Sequence, residues 1–210
     1  MSYTTSYKDE NGCTKDVTIS DSDCVMALSN DYRELIRTYE PRRVSITRIQ
    51  AAEGEALHLK VTVHAPTHYL TGPHDHTPKP AQSMSFDIIA YPGYPLKAVR
   101  AYYDPARYLA SPNVFRSGAA CIDEWRIFTS SLLTVCDKLV RDIIHDPNVT
   151  LYSSMANAYM EDWHRKGAAA KRFPTIPTKL LYAPDAPPLP RRSSTGSKPV
   201  SATPPLPGGR

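Results

Sequence analysis

The sequence predicts an α+β domain, one antiparallel sheet with helices packed on one face. Three observations carry this. Helical spacing opens the readable part of the chain, alternation of apolar and polar residues fills its middle, and helical spacing returns after Thr129. Consecutive strands joined by turns pair as a meander, and a meander needs helices on one side to bury its apolar face.

The first helix follows from Val25, Leu28, Tyr32, Leu35, Ile36 and Tyr39, with Asp21, Ser22 or Asp23 as its cap and Pro41 just past its end. Val44 and Ile46 begin the first strand, and Glu53-Gly54-Glu55 supplies a hairpin-type turn. Leu57, Leu59, Val61 and Val63 then alternate with His58, Lys60, Thr62 and His64, the pattern of a half-buried strand. A long proline-rich loop over residues 66–82 leads to a third strand, in which Met84, Phe86, Ile88 and Ala90 alternate. Val99, Ala101 and Tyr103 give the fourth, and an irregular segment follows. Leu132, Leu133, Cys136, Leu139, Val140, Ile143 and Ile144 form one face of a helix that Pro147 stops. A last helix carries Tyr152, Met155, Ala156, Tyr159 and Trp163 on one side.

The ends read differently. Residues 1–20 are expected as a polar leader with a short strand at 17–19. Half of the 20 prolines lie between Pro174 and Pro207, among Ser, Thr, Gly and Ala, so 171–210 is expected as a disordered basic tail and 21–170 as the folded domain. The tail holds seven basic side chains and one acid, so the net charge of +4 belongs to it and not to the domain. Nucleic-acid binding by the domain is therefore not favoured. No apolar run is long enough to span a bilayer, and the polar start lacks the order of a secretory signal. Cys13, Cys24, Cys121 and Cys136 form no Cys-x-x-Cys pair, which fits reduced thiols in a soluble cytoplasmic protein.

The irregular segment holds the chemistry. Ser111-Pro112-Asn113-Val114, then Gly118-Ala119-Ala120-Cys121-Ile122-Asp123 and Trp125, place an amide side chain eight residues before a thiol. A thiolate is both nucleophile and leaving group, and an amide beside it can donate to the oxyanion of an acyl cargo. Small residues before Cys121 favour an accessible turn; the competing reading is a buried structural cysteine. Cys136, on the apolar helix face, reads as core. His64, His68, His74 and His76 gather around the long loop without a cysteine, and no metal site is expected from them.

At these residues the chain resembles the ubiquitin-conjugating enzyme family, over roughly 21–167. Tyr91-Pro92-Gly93-Tyr94-Pro95-Leu96-Lys97 resembles the family's turn between its third and fourth strands. Ser111-Pro112-Asn113 resembles its His-Pro-Asn, with the Asn-to-Cys spacing kept. Gly118-x-x-Cys121-Ile122-Asp123, Trp125 and Asp146-Pro147-Asn148 resemble its cysteine loop, its tryptophan and the motif after its second helix. Ser111 in place of histidine, Ala98-Val99 in place of paired prolines and the long loop mark a divergent, prokaryotic-type member.

The resemblance implies the ubiquitin-conjugating-enzyme-like fold: N-terminal helix, four-stranded antiparallel meander, active-site cysteine loop and two C-terminal helices. It implies that Cys121 accepts a ubiquitin-like protein from an activating enzyme as a thioester and passes it to an acceptor amine or hydroxyl. Asn113 would serve as oxyanion donor or as a brace for the loop, with Ser111 shaping that loop and Trp125 supporting it; Asp123 is either an acid that orients an incoming lysine or a solvated turn residue. Ser153 or Ser154 fall near the family's gate position. Arg33, Arg37, Arg42 and Arg43 correspond to the surface for activating enzyme and modifier, and Tyr94, Pro95 and Leu96 to the edge for a separate ligase. No metal or organic cofactor is implied, since ATP is used by the activating enzyme upstream. The rival is a non-catalytic adaptor of the same fold that binds a ubiquitin-like protein. A thiol hydrolase lacks a histidine placed by sequence beside Cys121. In the tail, Pro187-Pro188-Leu189-Pro190-Arg191-Arg192 fits a polyproline II ligand, and Gly208-Gly209-Arg210 resembles a modifier's di-glycine end.

Overall fold

The computed structural model describes residues 1–9, 11–72, 74–122, 125, 127, 129–146, 148–149, 156–173 and 176–186. The chain is α+β, with antiparallel sheets and three α-helices among the described residues. Its centre is a four-stranded sheet of β3 (Val44–Ile49), β4 (Leu57–Val63), β7 (Met84–Ala90) and β8 (Arg100–Tyr102), paired in that order. Alternation sets the two faces. Leu57, Leu59, Val61, Val63, Met84, Phe86, Ile88 and Ala90 are buried, while His58, Lys60, Thr62, Ser85 and Asp87 face outward. On the outer face the cross-strand pairs are polar, as in the Thr62–Ser85 hydroxyl contact at 2.8 Å.

Two helices share that core. α1 (Asp21–Thr38) starts at Ser20, whose hydroxyl accepts from the Asp23 amide, so the cap lies one residue before the expected candidates. Its buried stripe is Cys24, Leu28, Leu35 and Thr38. Val25 and Ile36, expected in the core, are 61% and 46% exposed. They sit at the flanks of the apolar arc, and Cys24 and Thr38 are buried in their place.

α2 (Leu132–Ile143) is capped by Ser131, which accepts from Thr134 N while Thr134 Oγ1 returns a bond to the Ser131 amide. Every residue of its expected apolar face is buried. The helix stops where His145 adopts φ +55° and the Asp146 amide bonds the Arg141 carbonyl. Pro147, expected as the stop, lies outside the described residues. α3 (Ala158–Ala169) begins after Ala156, expected inside the last helix, and runs past Trp163; Tyr152 and Met155 lie outside the described residues.

Three expectations need correction. The polar leader is a hairpin of β1 (Ser2–Lys8) and β2 (Thr14–Ser20), with all seven residues of each strand in register. Thr, Tyr, Val and Ile supply the β-branched and aromatic positions, and Gly12 at φ +78° makes the turn. The loop over 66–82 is β5 (Thr67–Leu70) and β6 (Lys79–Ala81), which join β9 (Tyr108–Leu109) in a second sheet of order β6-β5-β9. Pro80 is tolerated there because β6 is an edge strand.

The expected tail does not begin at 171. Phe173 is buried, a 3-10 turn spans Thr178–Leu181, and Leu181 is 0% exposed. Tyr182 stacks on Tyr39 with ring centroids 5.7 Å apart, and the Ala183 amide bonds the Thr38 carbonyl at 2.9 Å. Residues 187–210, with the polyproline and Gly-Gly-Arg motifs, lie outside the described residues. No described helix is long and apolar enough to cross a membrane.

Leu181→Ala should therefore cost about 2–5 kcal/mol of stability, as for a buried leucine, in urea denaturation. A cost below about 0.5 kcal/mol, the value for an exposed position, would return this segment to the tail.

Candidate functional site

The spacing of eight between Asn113 and Cys121 is that of a closed loop. After β9 the chain turns at Ser111-Pro112-Asn113, runs to Phe115 and reverses, with the Phe115 amide on the Ala119 carbonyl at 2.8 Å. Gly118 makes the reversal at φ +86°, and a Cβ there would lie 2.6 Å from the Tyr103 carbonyl oxygen, so only glycine fits. Ala120 then bonds back to Ala101 at 2.9 Å, and the Cys121 amide donates to the Asn113 carbonyl at 2.8 Å. The two motifs meet through their backbones.

The side chains of the turn point inward. Ser111 and Asn113 are 0% and 1% exposed. The Ser111 hydroxyl lies 3.0 and 2.8 Å from the two carboxylate oxygens of Asp142, and the Asn113 Nδ2 donates to Asp142 Oδ1 at 3.2 Å. The Asn113 amide N–H also donates to Ser111 Oγ at 3.1 Å. Of the two roles expected for Asn113, this geometry is that of a brace.

Asp142 is fully buried on α2, and burial pushes its carboxyl up to about 6 against the lowering effect of the Ser111 and Asn113 bonds and the Lys138 charge. One turn earlier on α2, the Lys138 ammonium donates to the Cys121 carbonyl at 2.7 Å. Neither residue was singled out from sequence. Both interrupt an apolar helix at i and i+4, and a charged pair at buried helical spacing is the signal that could have exposed them.

Cys121 itself is half-exposed, at the outer end of the braced loop. Among the described residues no histidine hydrogen-bonds to it. Cys136 is 0% exposed and burial drives its thiol far above the usual range, so it is core. Asp123, Ser153 and Ser154 lie outside the described residues.

Trp125 is half-buried; its Nε1 donates to the Pro95 carbonyl at 2.8 Å and its ring meets Tyr94 edge-on at 5.9 Å. Tyr94, expected at a partner edge, is 2% exposed. Its hydroxyl donates to Asp31 and accepts from the Leu132 amide, tying the 91–97 turn to α1 and the start of α2. It is a structural residue; Pro95 and Leu96 beside it remain half-exposed. Arg33 and Arg37 are exposed, and with Asn30, Glu34 and Asp185 they line a surface cavity of about 560 Å³. Arg42 is exposed and Arg43 half-buried nearby in sequence.

The expected histidine cluster is dispersed. His64, His74 and His76 are exposed, whereas His68 turns toward His145 on a ring nitrogen contact of 3.3 Å. His145 and His164 are buried beside Phe173 and Trp163, and burial holds their imidazoles down to about 3 and about 4. Among the described residues no three His, Cys, Asp or Glu side chains are grouped to hold a metal ion. The sequence matches no protein-family model and no curated protein.

These ionisations set opposite pH dependences. Asp142 binds its proton more tightly in the folded chain, so its contribution is full below 3.8 and is lost as pH rises through about 6. His145 and His164 contribute fully above 6.5 and lose that contribution as pH falls toward their folded values. Acidification from about pH 7 to about pH 4.5 should lower the urea midpoint through the histidines, with Asp142 partly offsetting the loss. In Asp142→Asn the offset is absent, so the midpoint should fall more steeply over that interval; a shallower fall contradicts this assignment.

Proposed function

We propose that the chain is a ubiquitin-conjugating-like transferase with the ubiquitin-conjugating-enzyme fold, carrying a ubiquitin-like protein on Cys121. The observation that carries this reading is the half-exposed Cys121 at the end of a loop closed on Asn113 and fixed from below by α2. The succession of α1, the antiparallel β3-β4-β7-β8 sheet, the crossing from 110 to 121 and then α2 and α3 supports it, with β5, β6 and β9 set between these elements as a second sheet.

In the first step the Cys121 thiolate attacks the thioester carbonyl held by the activating enzyme. The new S–C bond forms, the old one breaks, and the activating enzyme's thiolate leaves. In the second, an acceptor amine attacks the same carbonyl. A C–N bond forms, the C–S bond breaks, the Cys121 thiolate is regenerated and the amine's proton passes to water. Thiolate is a good leaving group near neutral pH, so both exchanges run without a resident cofactor, and ATP is consumed upstream. Ser111, Asn113 and Asp142 hold the loop during both steps. Arg33 and Arg37 offer a cationic surface to the activating enzyme or the modifier, and Pro95 and Leu96 an apolar edge to a ligase.

The rival, a non-catalytic adaptor that binds a ubiquitin-like protein, draws on the inward-turned Asn113 amide, which donates to Asp142 from a buried position. The two separate on one experiment. When the chain is isolated from its source cells into acid without reductant and digested, the Cys121 peptide should carry an acyl remnant that thiol releases. Cys121→Ser should lose the remnant or hold it as a thiol-resistant ester, and Cys136→Ser should retain it. A chain that co-purifies with a ubiquitin-like protein but bears no adduct on Cys121 is an adaptor.

A further inference from the structure

We propose that Lys138 is the positioning residue of the Cys121 site, holding the cysteine by its backbone and fixing positive charge beside it. This rests on the thioester-carrier reading.

α2 reaches both arms of the crossing with two side chains one turn apart. Asp142 takes the Ser111–Asn113 arm, and the Lys138 ammonium takes the other, on the Cys121 carbonyl at 2.7 Å. Lys138 is 5% exposed. Burying an ammonium is costly unless it is bonded and its charge is balanced, and a methionine of similar length would fill the space without that cost. What lysine adds is direction and charge. Direction comes from the bond to the Cys121 carbonyl, which fixes the residue's backbone on its C-terminal side as the Asn113 carbonyl fixes its amide. The charge in turn favours the ionised form of the Asp142 carboxyl one turn on. Positive charge beside a half-exposed cysteine favours an anionic group approaching it.

The readout is the alkylation of Cys121, followed peptide by peptide, with neutral iodoacetamide and anionic iodoacetate. The ratio of the two rates cancels exposure and thiolate fraction and reads the local potential. Exposed Cys13 in the same chain is the reference. Lys138→Met should lower the iodoacetate-to-iodoacetamide ratio at Cys121 about three-fold or more, whereas Lys138→Arg should hold the ratio within about two-fold. A residue that only filled space would leave the ratio unchanged and, by loosening the loop, raise both rates; that result overturns the proposal. If Lys138→Met does not fold, Lys138→Gln carries the same prediction for the ratio.

The native chain gives a second test. N-hydroxysuccinimide acetate should modify Lys138 far more slowly than exposed Lys97 and Lys166, and equal rates overturn the proposal. The two readings fail separately. A ratio that falls in a chain without an acyl remnant sinks the carrier alone, and a remnant with an unchanged ratio sinks the role of Lys138 alone.

Discussion

A buried carboxylate beneath an irregular crossing is the constraint on which the site depends. The stretch from Ser111 to Cys121 has few strand or helix partners, yet its first residues are sealed from water, so its polar groups need partners within the protein. Asp142 supplies them from α2, taking the Ser111 hydroxyl and the Asn113 amide on one carboxyl group. A buried charge satisfied in this way is costly to disturb from either side, because removing one partner strands the others. The half-exposed Cys121 is thus the free end of a rigid support.

The strands were legible wherever one face is buried and the period of two is unbroken. Leu57 to Val63 and Met84 to Ala90 read correctly because every second residue enters one core. α2 read correctly because its apolar face is wide. The second sheet was hidden by short strands and by prolines, which carry a turn or loop signal even when, as at Pro80, they sit on a free edge. α1 was located but rotated: Val25 and Ile36 satisfy the helical period, and only the elements packed on it, α2 and β2, decide which side of a broad apolar arc is covered. The segment around Leu181 resembles its proline-rich surroundings in composition. Ile176, Leu181 and Tyr182 dock it, too few residues to lift a window average.

The site was half legible. Spacing located Cys121 and Asn113, but spacing says nothing of side-chain direction, and the structure joins them through a carbonyl and an amide. Tyr94 looked like a surface residue because it lies in a Pro/Gly turn, yet its hydroxyl bonds Asp31 and the head of α2 inside the core. Asp142 and Lys138 escaped notice because a helix read for its apolar face hides the two charges set into it.

These contacts divide the work between two layers. An outer loop presents sulfur, and an inner helix fixes the loop with opposite charges one turn apart. The most direct measurement is the alkylation of the unmodified chain, resolved cysteine by cysteine, under native conditions. The account predicts that Cys121 reacts in the folded state while Cys24 and Cys136 react only on unfolding. A Cys121 as protected as Cys136 would contradict it.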